Sequence, residues 1–371
     1  MSNKSNYLRA STSIIAVSFS LLFGTAPVHA GDVAPAQAPA TVITVEGTKV
    51  PEQLAQTPRV VDYLSEPLLK AADVRTFEDL QALTPGLIFN TTNSTTATNA
   101  RLWGVGTVGD NPGIEPSVGI NVDGVYRPRT GVAAERLLDV DHVEVLKGPQ
   151  GTLYGKNTSA GVIDVFTRAP SNEAHSMAEL SAGNYGYASA SVYLDGPLVS
   201  RRLLGSLSID HDQREGFYQV IAGRGPRGDG DDDDLNSSAA RGQILWHASD
   251  VADFRLIADY STEHDSCCSA VQLKNGPTAV IINALAGGAG VAAPADPAGR
   301  TAYANDSTAQ RIHDGGLTLN ASTQVPALGG LKLLSITGVR NWSADNANDG
   351  DFTAASILAR LPGQYLSLIH I

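Results

Sequence analysis

The chain has 371 residues, a formal charge of −12, 17% charged residues, 6% aromatics and 37 glycines. That length allows two or more domains, and a glycine-rich, charge-poor composition argues against a helical bundle and for short strands joined by turns. The net negative charge excludes nucleic acid as an expected partner, because a phosphate backbone requires a basic face.

Lys4 and Arg9 precede the apolar segment Ile14 to Phe23, which is followed by Val28-His29-Ala30. Basic, apolar and small-residue parts in this order predict an export signal over residues 1–30. Its apolar part is too short to span a bilayer, and no later stretch reaches the roughly 20 apolar residues of a spanning helix. The expectation is an exported protein without a helical anchor: soluble beyond the inner membrane, or a β-barrel. Residues 31–50 form an expected periplasmic linker that opens with the Ala/Pro-rich GDVAPAQAPA. It continues into TVITVEG (41–47), where Thr41, Val42, Ile43, Thr44 and Val45 make a short β-branched run. Such a run suits an edge strand of the next domain or a strand offered to a partner by β-augmentation, and pattern alone does not choose.

Residues 51–170 read as a compact α+β domain. FEDLQALTPG (77–86) predicts a short helix with Phe77, Leu80 and Leu83 on one face and Pro85-Gly86 ending it. Strands are predicted over 118–126, 142–148 and 161–168, with polar or turn-rich loops at 90–100 and 106–117. The stretch EVLKGPQGTLYGKNTSAGVIDVFT (144–167) approaches a phosphate-binding loop but fails it. Gln150 stands where glycine is required, Asn157 follows Lys156, and the sequence then alternates like a strand. Gly148, Gly151, Gly155 and Gly161 are expected instead to serve tight turns and close strand packing.

From residue 171 to 365 the pattern changes to alternating strands. In 188–195, Ala188, Ala190, Val192 and Leu194 face one way, and Ser189, Ser191, Tyr193 and Asp195 the other. Segments 205–210, 241–247, 253–260, 316–322 and 331–339 repeat the alternation. A soluble sandwich alternates too. The connections discriminate better: short links at 196–202, 249–253 and 324–330 take turns with long ones at 212–237, 262–310 and beyond 343, with an exception near 184–187. Transmembrane β-barrels are built this way. About seven strands are expected from Met177 onward. A barrel enclosing a domain this size needs on the order of 22, so an incomplete large barrel is expected. LSLIHI (366–371) breaks the pattern and looks like a translated sequencing adapter, so an artificial end is expected there.

VEVLKGPQGTLYGKNTSAGVIDVFTRAP closely resembles the signature near the end of the plug domain of TonB-dependent outer-membrane receptors. FEDLQALTPGL (77–87) and SVGINVDGVYRPR (117–129) resemble two other plug segments, and GNYGYASASVYLDGPL the first barrel hairpin. The resemblance runs from about residue 41 to 343. It implies an α+β plug domain followed by antiparallel transmembrane β-barrel strands, in the cell outer membrane and in contact with outer-membrane lipid. It implies energy-dependent uptake of a scarce nutrient, an iron chelate first, with no cofactor of its own and no enzyme activity. It also implies that Thr41 to Val45 serve as the motif of a TonB-like energy-transducing protein. Ligand contacts are expected near the plug apex, at Arg101, Trp103, Asp110, Asn111 and Glu115. One departure stands out: the family's arginine before a glycine is here Trp103 before Gly104. Lys147 holds a second basic position that commonly pairs with the barrel wall, so whether the plug is latched is left open.

The run GDGDDDD (228–234) offers carboxylates for Ca²⁺ but lacks the EF-hand spacing, and a solvated loop tip is favoured. Cys267-Cys268 could form a vicinal disulfide or bind a soft metal, with a paired structural kink preferred; His264 and Asp265 beside them follow no ligand spacing. His211, His247 and His313 read as ordinary surface or lumen residues. No nucleophile–base arrangement is legible. Two readings compete with the receptor: a passive porin or adhesin-like barrel, and a soluble exported binding protein.

Overall fold

The computed structural model describes residues 43–47, 51–90, 97–107, 114–129, 136–223, 225, 227–267, 269–285, 296, 298–347, 349–350, 352–355 and 366–370. Its first part is a small mixed domain. A two-residue strand β1 (Thr44–Val45) pairs antiparallel with β2 (Glu52–Gln53), and β3 (Val60–Ser65) leads into α1 (Glu66–Ala71). Strands β4 (Leu87–Asn90), β5 (Asn99–Leu102) and β6 (Val105–Gly106) form one small sheet. Strands β7 (Val118–Val122), β8 (Val125–Arg127), β9 (Val140–Lys147) and β10 (Gly161–Thr167) join β3 in a five-stranded sheet, ordered β3-β9-β10-β7-β8, with β7 and β10 parallel.

One face of that sheet is apolar. Leu64, Val143, Val145, Ile163, Val165, Ile120 and Val122 share it by register and are buried against Leu69, Phe77, Leu80 and Leu102. The other face carries Tyr63, His142, Glu144 and Asp164. Two predicted elements differ in detail. Residues 78–82 form a five-residue 3₁₀ turn rather than an α-helix, because Asp79 caps its own approach, accepting from the backbone N–H of Arg75 (2.9 Å) and Thr76 (2.8 Å), and Pro85 follows too soon for a longer helix. Residues 118–126 are not one strand but a hairpin, turned at Asp123 (φ 51°) and Gly124 (φ 82°). Asp-Gly is the residue pair that this turn requires. A single helical turn α2 (Gly151–Tyr154) precedes Lys156, and a strand follows it, so no helix opens at the lysine.

Of the four glycines singled out above, Gly148 (φ 90°) and Gly155 (φ 78°) supply left-handed turns, and a Cβ on Gly161 would lie 2.5 Å from the Leu146 carbonyl oxygen. Gly151 does neither: it lies in α2, and a Cβ there would meet nothing within 4 Å.

The second part is a large antiparallel sheet. In chain order it contains β11 (His175–Ala182), β12 (Ala188–Ser200), β13 (Leu203–Arg214), β14 (Tyr218–Ala222), β15 (Gly230–Asp232), β16 (Leu235–Ser249), β17 (Ala252–Ser266), β18 (Thr301–Ala304), β19 (Ala309–Val325), β20 (Leu331–Asn346) and β21 (Leu366–His370). Eight of these form the sheet β11-β12-β13-β16-β17-β19-β20-β21, and β14, β15 and β18 form a separate small one from the long connections. Residues 366–370 are paired with Arg340–Ala344 of β20.

The burial of this sheet is inverted. On β13, Leu207 and Ile209 are 40% and 47% exposed, whereas Asp210 and Asp212 are 4% and 1% exposed. The same holds on β17 and β19, where Leu256, Leu317 and Leu319 point outward while Glu263, Gln310 and Asp314 are buried. A soluble sandwich buries its apolar face. This sheet turns its polar face onto the small domain and its apolar face away from it.

Candidate functional site

The run 41–47 is described from Ile43 onward; Thr41 and Val42 lie outside the described residues. Its strand β1 lies against the polar face of the five-stranded sheet, with Val45 wholly buried. The attachment is made chiefly by backbone. The Glu46 and Gly47 N–H groups donate to the two carboxylate oxygens of Glu144 at 2.7 and 2.8 Å. The Tyr154 hydroxyl lies 2.6 Å from the Gly47 carbonyl oxygen and 2.5 Å from an Asp164 oxygen, with one proton to give. A Cβ at residue 47 would come within 2.7 Å of Glu144 and 2.9 Å of Leu146, so the closing glycine of TVITVEG is what lets the chain approach.

Glu144 is fully buried, and a buried carboxylate is tolerated only with compensating donors. Two backbone N–H groups supply these, and His142 Nε2 stands 3.3 Å away. Burial works to lower the His142 pKa, but its hydrogen bonds to Glu144 and Asp141 outweigh that and raise it. Its ring is stacked between Tyr63 (centroids 4.8 Å apart) and Phe166 (4.5 Å). Burial and the Asp164 charge push the Tyr154 pKa well above its usual value, which keeps the hydroxyl a donor. Glu144 was not singled out in the sequence; the signal available was a charge between apolar neighbours in VEVL, and its pairing with residues 46 and 47 left no local mark.

The small domain is also tied to the large sheet. Arg127 on β8 donates to Asp314 at 2.9 Å and Asp259 at 3.1 Å, and both carboxylates are shared with Arg340 of β20. Arg136 holds Asp210 through two bonds of 2.8 Å and Asp212 at 2.9 Å. In the opposite direction, Arg255 of β17 reaches the Thr167 hydroxyl at 2.7 Å and its carbonyl at 3.0 Å. Among the described residues, the positions weighed in the sequence for this latch make other contacts. Lys147 stays within the small domain, 2.6 Å from Asp62 and 2.8 Å from the Pro85 carbonyl. Trp103 is exposed at the β5–β6 turn (φ 52°), with the Lys147 ammonium 5.9 Å from its ring centre.

Of the expected ligand contacts, Arg101 packs along Gly106, Trp103 sits by Gly86, and Glu115 pairs with Lys156. These are three different environments. Asp110 and Asn111 lie outside the described residues. The acidic run is a solvated tip only in part: Asp229 and Asp231 are exposed, whereas Asp232 is fully buried, accepting from Thr308 at 2.9 Å and pairing with Arg227 at 3.3 Å. Asp234 accepts from the Ser266 N–H. These carboxylates join two long connections of the large sheet. Cys267 is disulfide-bonded and buried, and Cys268 lies outside the described residues.

Residues 53–162 match the family model described as the TonB-dependent receptor plug domain. The pesticin receptor of Yersinia pestis is 32% identical over 146 residues, which cover 39% of this chain and 21% of that protein. A catecholate siderophore receptor of Escherichia coli is 26% identical over 138 residues, covering 37% and 17%. Among solved structures, the ferric yersiniabactin uptake receptor of Yersinia pestis superimposes with a TM-score of 0.65 at 20% identity, over 79% of this chain and 42% of that one. The ferripyoverdine receptor of Pseudomonas aeruginosa superimposes with a TM-score of 0.56 at 14% identity, over 87% and 50%. The chain thus spans half or less of the proteins it matches.

Proposed function

The chain belongs to the TonB-dependent receptor family, and on that premise we propose that it serves energy-dependent uptake of a scarce nutrient, a ferric chelate first, across an outer membrane. In this reading residues 1–30 direct export, 31–50 carry the partner motif, 51–170 form the plug and 171–365 belong to the barrel wall. Three of the proteins named above are receptors for a catecholate siderophore, ferric yersiniabactin and ferripyoverdine, which supports a chelate as the cargo.

The observation that carries the proposal is the docking of residues 43–47 onto Glu144. Glu144 lies on β9, paired on both sides, with Tyr63 of β3 and Asp164 of β10. A TonB-like protein that paired with Thr41–Val45 by strand addition would therefore pull on the middle of the plug sheet. The plug's other anchors, Arg127 and Arg136, are what such a force has to work against. Ligand would enter from the side of the long connections, with Arg101, Trp103 and Glu115 as candidate apex contacts.

The test is uptake of radio-iron chelates by iron-starved cells expressing the receptor, with and without residues 41–47. Uptake should stop on deletion while the amount in the outer membrane holds. Uptake that continues at the intact rate would instead favour a passive pore.

A further inference from the structure

The outward face of the large sheet changes character abruptly along its length. By register, His211, Ser238, Thr262, His313 and Ser343 form one continuous row across five strands. One step further toward the long connections, His264 lies beside Arg311, and Arg311 beside Asp345. On the other side of the row the outward residues are mostly apolar: Ile209 and Tyr260, then Leu207, Leu317 and Val339, down to Trp246 stacked on Phe254 at 5.6 Å, with Asn341, Thr337 and Ser335 of β20 interspersed. From the level of Ala252 to that of Tyr260 is eight residues, about 27 Å along a strand. With the tilt of barrel strands this gives about 20 Å of height, close to the apolar band of outer-membrane barrels.

The polar rows are organised. The Tyr260 hydroxyl and His313 Nδ1 are 3.1 Å apart, and the His264 ring meets the His313 ring edge-on at 5.3 Å. His211 Nδ1 is 2.9 Å from the Ser238 hydroxyl, and Thr262 is 3.3 Å from His264. Three imidazoles and one guanidinium thus stand at the rim of an apolar band, with Asp345 the single carboxylate on the two rows.

Resting on the outer-membrane reading above, we propose that this patch binds the phosphate of an outer-leaflet lipid headgroup, with Arg311, His264 and His313 as its donors. Arg311 supplies fixed charge, and the imidazoles supply N–H donors at the height where acyl chains give way to headgroups. Asp345 opposes the anion and limits its affinity.

The test inserts the full chain into phosphatidylcholine vesicles doped with phosphorylated lipid A, or with the same lipid dephosphorylated. Lipid retained per protein is then measured after detergent extraction. The chain should retain the phosphorylated form about tenfold better, and Arg311→Gln with His264→Gln and His313→Gln should abolish that preference. Ser335→Gln, on a lower outward row, should leave it unchanged, and Asp345→Asn should increase it. Equal retention of the two lipids, an unaffected triple variant, or displacement by inorganic phosphate overturns the proposal. Failure of every form to insert overturns this inference, while the outer-membrane reading stands or falls with the uptake assay above.

Discussion

The plug sheet and the barrel wall alternate with the same period of two and bury opposite halves of it. In the plug, Ile163 and Val145 are wholly buried while the apolar wall residues Leu317 and Leu319 are 51% and 40% exposed. In the wall it is Asp212, Asp314 and Gln310 that lie inside, each at 2% exposure or less. Alternation therefore states that a strand has two environments and leaves open which of them is wet. What separates the regions is the solvent each was built for: the plug folds around its own apolar core, and the wall expects hydrocarbon outside and a polar lumen within.

The sharpest way to break that difference is to place a charge on the apolar half of each. Ile163→Asp buries an unpaired carboxylate in the plug core and should cost more than about 4 kcal/mol, enough to unfold the plug. Leu319→Lys, on the wall, should cost about 2–4 kcal/mol in a bilayer near its midplane, whereas the same change at a water-exposed surface site costs within about 0.5 kcal/mol. Urea titration of the vesicle-inserted protein measures both substitutions. A penalty for Leu319→Lys within about 0.5 kcal/mol would mean that this face does not meet lipid.

The second contrast lies inside the plug, between its apolar face and the polar face that holds the N-terminal strand. Glu144→Gln keeps the shape but removes the charge, and it sets an amide NH₂ against one backbone N–H. The loss should be about 3 kcal/mol, since charge-assisted bonds contribute roughly twice as much as neutral ones. Hydrogen exchange at the Glu46 and Gly47 amides should accelerate at least about tenfold, with exchange at Val143 and Val145 unchanged. Unchanged exchange at residues 46 and 47 would show that Glu144 does not hold the strand.

How far these features were legible varies with how local their causes are. The mixed domain, its β9 and β10 strands and the succession of wall strands follow from alternation and turn residues. The Asp123-Gly124 hairpin was written in the sequence as a dipeptide but was obscured by apolar residues on both sides, which read as one strand. The latch was not legible. VYRPR supplies Arg127, but its carboxylates, Asp259 and Asp314, lie more than a hundred residues on, and only the sheet register sets them together. The docked strand was visible as a strand without a neighbour. Its anchor, Glu144, lies 97 and 98 residues from the amides it accepts. The histidines are similar: His211, His264 and His313 look scattered in the chain and are aligned only by pairing.

The finest contrast is at the seam where plug meets wall, and pH reads it. Asp139 lies 3.6 Å from Arg168 and 3.3 Å from the Gln243 amide of the wall. Burial raises its pKa to about 7, against the pull of Arg168, Arg241 and Arg255 and with help from Asp195. In the unfolded chain an aspartate titrates near about 3.9. Between those values the folded protein holds a proton that the unfolded chain has released, so stability falls as pH rises from about 4 to about 7 and is flat beyond. Through this group alone, raising pH from about 5 to about 7 should cost about 2 kcal/mol of plug stability. Asp139→Asn, which cannot ionise, should flatten that slope and leave the melting temperature at low pH nearly unchanged. If the slope survives the substitution, the pH response belongs to other groups and the seam is not where the plug senses it.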